Sequence, residues 1–183
     1  YVILEIRQKN AMWVLGIITS LASMLVFYSQ GLYASFGLNA YYLITAFIGL
    51  WQWGRDRKKL EAAADNPDGD VIHLNRLSLK TVVATLIVAA AGIFLLSWLM
   101  EMLENPMSVL DAAVAVLSAV ATWWLVRSYL EQWWLWILAD ALSTCLCITQ
   151  GLWWMTALYA AYTLSAVYGY VHWKKNGVYI QKR

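Results

Sequence analysis

Charge is what this chain has least of: 13% of its 183 residues are charged while 62% are hydrophobic, against about a quarter charged in an ordinary soluble domain. That balance excludes a water-soluble globule and points to a bilayer. Proline is nearly absent too. Pro67 and Pro106 are the only two, both lie outside the long apolar runs, and helices through those runs should therefore be unbroken. Two cysteines, Cys145 and Cys147, stand two apart in an apolar stretch, far from His73 and His172, which suggests neither a metal site nor a disulfide framework. No glycine run with Lys and Ser or Thr forms a phosphate-binding loop, so ATP is not expected to be the fuel. Nucleophile motifs and paired catalytic carboxylates are missing as well, so neither an enzyme, a cofactor nor a nucleic-acid partner is expected. The chain opens at Tyr1 inside an apolar stretch, and this start reads as the end of a truncated helix rather than a signal peptide.

What is abundant is runs long enough to cross a membrane, for which about 20 apolar residues suffice. Six are complete, Met12 to Tyr28, Leu32 to Trp53, Thr81 to Met100, Ser108 to Val126, Gln132 to Thr149 and Leu152 to Trp173. With the remnant before Arg7 they make seven spans. Gly54 to Lys80 is the one long polar connection, and its stretch Asp65 to Asp70 lacks the ligand spacing of a calcium loop, so it reads as a solvated turn. If the spans alternate, all thirteen Lys and Arg residues fall on one side: Arg7 and Lys9, Arg55 to Lys80, Arg127, and Lys174 to Arg183. The opposite connections contain none. The positive-inside rule then puts the basic side, with the C-terminus, in the cytoplasm.

The sequence also repeats itself. At an offset of 120, residues 11–53 align with 131–173 without a gap and thirteen positions match, among them Trp13 with Trp133, Gln30-Gly31-Leu32 with Gln150-Gly151-Leu152, Tyr42 with Tyr162, Gly49 with Gly169 and Trp53 with Trp173. Arg7 with Arg127 extends the match upstream. Ungapped Trp, Gln and Gly pairs indicate duplication. Because three helices are an odd number, one extra crossing, Thr81 to Met100, restores the direction of the second copy. The expected fold is therefore an all-α membrane protein of seven helices arranged three plus one plus three, a parallel repeat of the SWEET-like type. Its parts are residues 1–53, a cytoplasmic loop 54–80, a linker helix 81–100, a second repeat 108–173, and a tail 174–183.

Candidate functional residues follow from period and position. Asn39, Tyr42, Ala46, Gly49 and Trp53 lie three or four apart and share one face of the third span, and Tyr159, Tyr162, Ala166, Gly169 and Trp173 repeat that face on the seventh. Small residues between aromatic ends leave room for a ligand or let helices pack closely. Asp140 falls near the middle of its span, where an ionisable group is costly and commonly marks a pathway, although it also ties helices together in some proteins. Its repeat mate is Ser20, and Trp136 and Ser143 share its face. Trp98, Trp123, Trp124, Trp133, Trp134, Trp153 and Trp154 lie near span ends and read as interfacial belt residues.

The run Tyr42 to Trp53, the run Trp134 to Asp140, Gln150-Gly151 and the run Tyr162 to Trp173 resemble PnuC-type vitamin transporters over nearly the whole chain. The resemblance implies a SWEET-like fold, a homotrimer, nicotinamide riboside as solute, and facilitated diffusion across the bacterial inner membrane, with intracellular phosphorylation trapping the vitamin. Thiamine or riboflavin are solutes of close relatives, and a non-transporting membrane assembly is the reading from another class. Trp51 stands in for an aromatic of the family's Trp-x-x-Trp step on the third span, here Leu50-Trp51-Gln52-Trp53. The seventh span has Tyr170-Val171-His172-Trp173 where relatives often carry Asn-x-x-Trp. The expected substrate-binding set is Asn39, Tyr42, Trp51, Trp53, Trp136, Asp140, Ser143, Tyr159, Tyr162 and Trp173.

Overall fold

The computed structural model describes residues 1–30, 33–61, 72–102 and 109–180. Among these are seven helices: α1 (Val2–Ile6), α2 (Ala11–Ser29), α3 (Tyr33–Glu61), α4 (Leu79–Met102), α5 (Val109–Val126), α6 (Gln132–Thr149) and α7 (Trp153–Asn176). Six of them have 18 to 29 residues, or roughly 27 Å and upward at 1.5 Å per residue. The acidic turn expected at Asp65 to Asp70, Gly31 of the repeated Gln-Gly-Leu step, and the tail residues Lys182 and Arg183 lie outside the described residues.

On hydropathy alone α2, α4 and α5 are apolar enough to cross a membrane. The other three long helices carry their apolar surface as Trp and Tyr, beside Asp140 in α6 and the basic ends of α3 and α7. Burial is inverted relative to a soluble protein. Along α4, Leu86, Ile87, Val88, Phe94 and Leu95 are all more than half exposed, and so large an apolar surface is stable against lipid or another apolar protein face but not against water.

Two compact units divide the chain. The first comprises Tyr1–Asn75, Thr122–Ser128 and His172–Arg183; the second comprises Arg76–Ala121 and Tyr129–Val171. In the first, α2 packs along α3. A Cβ at Gly49 would fall 2.5 Å from the indole of Trp13, so only glycine admits that ring. In the second unit the 120-residue offset reproduces the detail, because a Cβ at Gly169 would collide with the indole of Trp133. Trp13 and Trp133 are each about 1% exposed.

The joints ahead of α2 and α6 correspond as well. Gln8 and Ser128, 120 apart, are the non-glycine residues with positive φ among the described residues, 49° and 55°, a conformation that is uncommon for any residue with a side chain. Each backbone N–H donates to the carbonyl three residues earlier, Gln8 to Glu5 and Ser128 to Leu125, at 2.9 Å.

One departure from an all-helical chain sits beside these joints. Ile72–Leu74 (β1) and Gly177–Tyr179 (β2) pair in parallel, Ile72 opposite Gly177. Residues 72–74 are buried, although the sequence pattern placed them in a polar loop without structure. Three apolar or aromatic residues ending a charged stretch are too short a signal, and the pairing partner lies about 100 residues away in the tail.

Candidate functional site

The repeated face divides into two parts with different surroundings. Toward the basic ends, Ala46, Gly49 and Trp53 are buried on α3, as are Ala166, Gly169 and Trp173 on α7. The glycines are covered by Trp13 and Trp133. The space between small residues is therefore filled by the protein's own indoles, and packing explains this part of the face.

Trp53 and Trp173, expected in the binding set, are 0% exposed. The indole N–H of Trp53 donates to the Leu125 carbonyl at 3.2 Å, and that of Trp173 to the Ile6 carbonyl at 2.9 Å. The Trp53 ring stands edge-on to Trp13 and His73, at centroid distances of 5.1 and 5.8 Å, and tilts toward Trp173 at 6.4 Å. Their polar groups are already used and their faces covered. In this arrangement Trp53 and Trp173 hold helix ends together. Trp51 has the opposite surroundings. It is 64% exposed, and the Arg55 guanidinium lies 4.7 Å over its ring, an arrangement suited to an interfacial anchor.

A strap finishes this end of the first unit. Gln8 grips His73 through both amide atoms, donating from Nε2 to the His73 carbonyl at 3.0 Å and accepting from the His73 N–H through Oε1 at 2.7 Å. Two residues further, the Asn75 backbone N–H donates to the Ser128 carbonyl at 3.0 Å and Asn75 Nδ2 to the Arg127 carbonyl at 2.8 Å. Residues 73–75 thus fasten both positive-φ joints, and Ile180 continues the ladder to the Leu74 carbonyl at 2.9 Å. His73 is fully buried. Burial, with Arg57 as a second cause, pushes its imidazole down to about 4, so the ring is neutral at physiological pH. Sequence reasoning missed Gln8, His73 and Asn75; the 120-residue offset between Gln8 and Ser128 marks equivalent joints but carries no sign of the strand that fastens them.

The other part of the face is half open. Asn39 and Tyr42 on α3 are half-buried, and Asn39 Nδ2 donates to the Ser35 carbonyl at 2.9 Å. On the equivalent stretch of α7, Tyr159 is half-buried and Tyr162 is 39% exposed, their rings edge-on with centroids 6.3 Å apart.

Within the second unit, α6 brings polar chemistry to this level. Gln132, Trp136, Asp140 and Ser143 follow at spacings of four, four and three and share one helical face. The Ser143 hydroxyl donates to the Ala139 carbonyl at 2.8 Å, so its donor is used within its own helix while its oxygen can still accept. Asp140 is half-buried and close enough to Tyr159 of α7 to interact electrostatically. Its carboxylate has no hydrogen-bond or ion-pair partner among the described residues. The Trp136 indole N–H is buried and unpaired among them too. No Lys or Arg occurs between Arg127 and Lys174. Trp136, Asp140, Tyr159 and Tyr162 therefore supply aromatic faces, one anion and one unpaired donor, with no cation nearby in sequence.

Two of the seven belt tryptophans behave otherwise. Trp133 and Trp124 are buried, at 1% and 6% exposure, while Trp98, Trp123, Trp134, Trp153 and Trp154 are exposed by 37 to 91%. A position near a span end does not say which way an indole points.

Comparison with known proteins places these features in context. Residues 1–175 match a family model described as nicotinamide mononucleotide transporter. The chain is 27% identical over 135 residues to the nicotinamide riboside transporter PnuC of Haemophilus influenzae, covering 73% of this chain and 56% of that protein. It is 27% identical over 181 residues to the protein of that name from Neisseria mucosa, covering 92% and 65%, and 24% identical over 185 residues to that of Escherichia coli, covering 91% and 77%. The chain thus spans between about half and two thirds of the length of the first two relatives. Its fold is similar to the crystal structure of the vitamin B3 transporter PnuC, with a TM-score of 0.69 at 23% identity over 95% of this chain and 75% of that one.

Proposed function

This chain belongs to the PnuC family of membrane transporters, and from that premise we propose that it carries nicotinamide riboside across the bacterial inner membrane. The observation that carries the reading is the grouping of Trp136, Asp140, Tyr159 and Tyr162. The pyridinium ring of nicotinamide riboside is a planar cation, and an aromatic face stabilises such a cation by roughly 0.5 to 2 kcal/mol depending on desolvation. Asp140 adds an opposite charge and accepts hydrogen bonds from ribose hydroxyls. Ser143, whose hydroxyl oxygen still accepts a hydrogen bond, completes the proposed substrate-binding set within this unit.

The family description speaks of the mononucleotide and the relatives of the riboside. Electrostatics favours the riboside. A phosphate brought beside Asp140 would meet a carboxylate in a poorly hydrated site, with no Lys or Arg anywhere from residue 128 to 173 to offset it.

The proposal extends to arrangement and energetics. The two three-helix segments are parallel repeats joined by α4, the segregation of all thirteen basic residues puts the C-terminus in the cytoplasm, and the protein assembles as a homotrimer. Transport is facilitated diffusion, made unidirectional by intracellular phosphorylation.

Calorimetric titration of the purified protein with riboside, mononucleotide, free nicotinamide and thiamine tests the solute, and counterflow in liposomes with and without ionophores tests the energetics. The riboside should bind and the mononucleotide should not, with counterflow unchanged by ionophores. Tight thiamine binding with the riboside ignored would overturn the assignment, and counterflow that collapses with the proton gradient would replace passive transport by coupling through Asp140.

A further inference from the structure

Gln132 begins α6, is 0% exposed, and has neither its amide oxygen nor its amide nitrogen hydrogen-bonded among the described residues. An unpaired buried amide is destabilising, and such groups are rare in folded proteins. Trp136, one turn along the same face, also has an unpaired indole N–H, and Asp140 is one turn further. The corresponding residues of α2 are Met12, Gly16 and Ser20, so only at the Asp140 position does α2 also carry a polar side chain. At the Gln132 level α2 therefore shows that an apolar side chain satisfies the fold, since Met12 is itself 0% exposed.

We infer that Gln132 is a specificity-determining residue that reads the carboxamide of a pyridine nucleoside. The inference rests on the riboside reading above and deepens it. A glutamine amide presents one acceptor and donors side by side. Another primary carboxamide satisfies both in a single antiparallel pair, whereas a carboxylate opposes acceptor to acceptor and a bare ring carbon leaves both unpaired. Spacing fits the ligand's own order. Gln132 and Asp140 are eight residues apart, about 12 Å along a helix, with Trp136 between them, and nicotinamide riboside carries its carboxamide, its cationic ring and its ribose in that sequence. The carboxamide docks at Gln132, the ring lies against Trp136, and the hydroxyls reach Asp140.

The test is a cycle between side chain and ligand. The full chain and its Gln132→Met variant, which copies the α2 residue, are titrated with nicotinamide riboside and with the pyridinium riboside lacking the carboxamide. Loss of two hydrogen bonds should weaken riboside binding about tenfold or more in the variant, while affinity for the ligand without a carboxamide changes little. The unaltered protein should also bind the nicotinic acid riboside at least about tenfold more weakly than the amide. This second comparison decides the matter if the variant fails to fold. Equal weakening for both ligands, or no weakening, or equal binding of acid and amide, overturns the role of Gln132 while leaving riboside transport standing. Absence of riboside binding to the unaltered, folded protein would sink the riboside reading itself.

Discussion

Helices α2 and α6 begin after equivalent joints and each pack a tryptophan onto a glycine, Trp13 on Gly49 and Trp133 on Gly169, yet their side-chain chemistry diverges one turn later. Where α2 has Gly16 and Ser20, α6 has Trp136 and Asp140. What both segments keep is concerned with fitting helices together; what only one has is the row that the proposed site uses. The joints show the same division, because both adopt positive φ but only Gln8 uses its side chain to hold the strap, whereas Ser128 is held by Asn75.

The largest effects should come from the shared contacts. Gly49→Val and Gly169→Val each force a side chain into an indole, and each should destabilise by about 3 kcal/mol or more. Thermal unfolding in detergent checks this, and a large loss at one glycine with none at the other would break the equivalence.

Acid acts on one side of the comparison, the strap. The folded-state value of His73, about 4, lies below the ordinary value near 6.5. Between them the unfolded chain binds the proton that the folded one refuses. The stabilisation is therefore complete above pH 6.5 and lost as pH falls toward 4, by on the order of 3 kcal/mol. Unfolding measured from pH 7.5 to 4.5 should show this slope in the unaltered protein and a flatter one in His73→Phe.

At the positions that differ, Asp140→Asn should weaken riboside binding by about 2 kcal/mol, since a charge-assisted contact to the ligand is lost. Ser20→Ala should leave binding unchanged. Equal effects in calorimetry would show that Asp140 serves the fold rather than the solute. The smallest contrast concerns the joints. Gln8→Ala removes two hydrogen bonds to His73 and should cost about 1 to 2 kcal/mol, while Ser128→Ala keeps the backbone carbonyl that Asn75 uses and should cost less than about 0.5 kcal/mol.

Much of this was legible in the sequence, for reasons that can be stated residue by residue. Apolar runs fix membrane helices because backbone groups in lipid must bond within their own segment, and α6 accordingly has the bounds expected, Gln132–Thr149. The others shift by a few residues, apart from α3, which continues eight residues past Trp53 into the basic stretch, where Arg55, Lys58 and Lys59 are exposed to solvent. The match at an offset of 120 was visible because Trp and Gly are hard to replace at a close contact. Tertiary structure alone decided the direction of each indole. Trp51 and Trp53 are two residues apart, which on a helix places them on opposite sides, and only packing determines which side is lipid and which is Trp13, His73 and Trp173. It also decided the fate of residues 72–75, whose partners are Gln8, Ser128 and the strand Gly177–Tyr179. Hydrogen bonds between segments so far apart leave no periodic trace in a sequence, because their register is set by where the helices end.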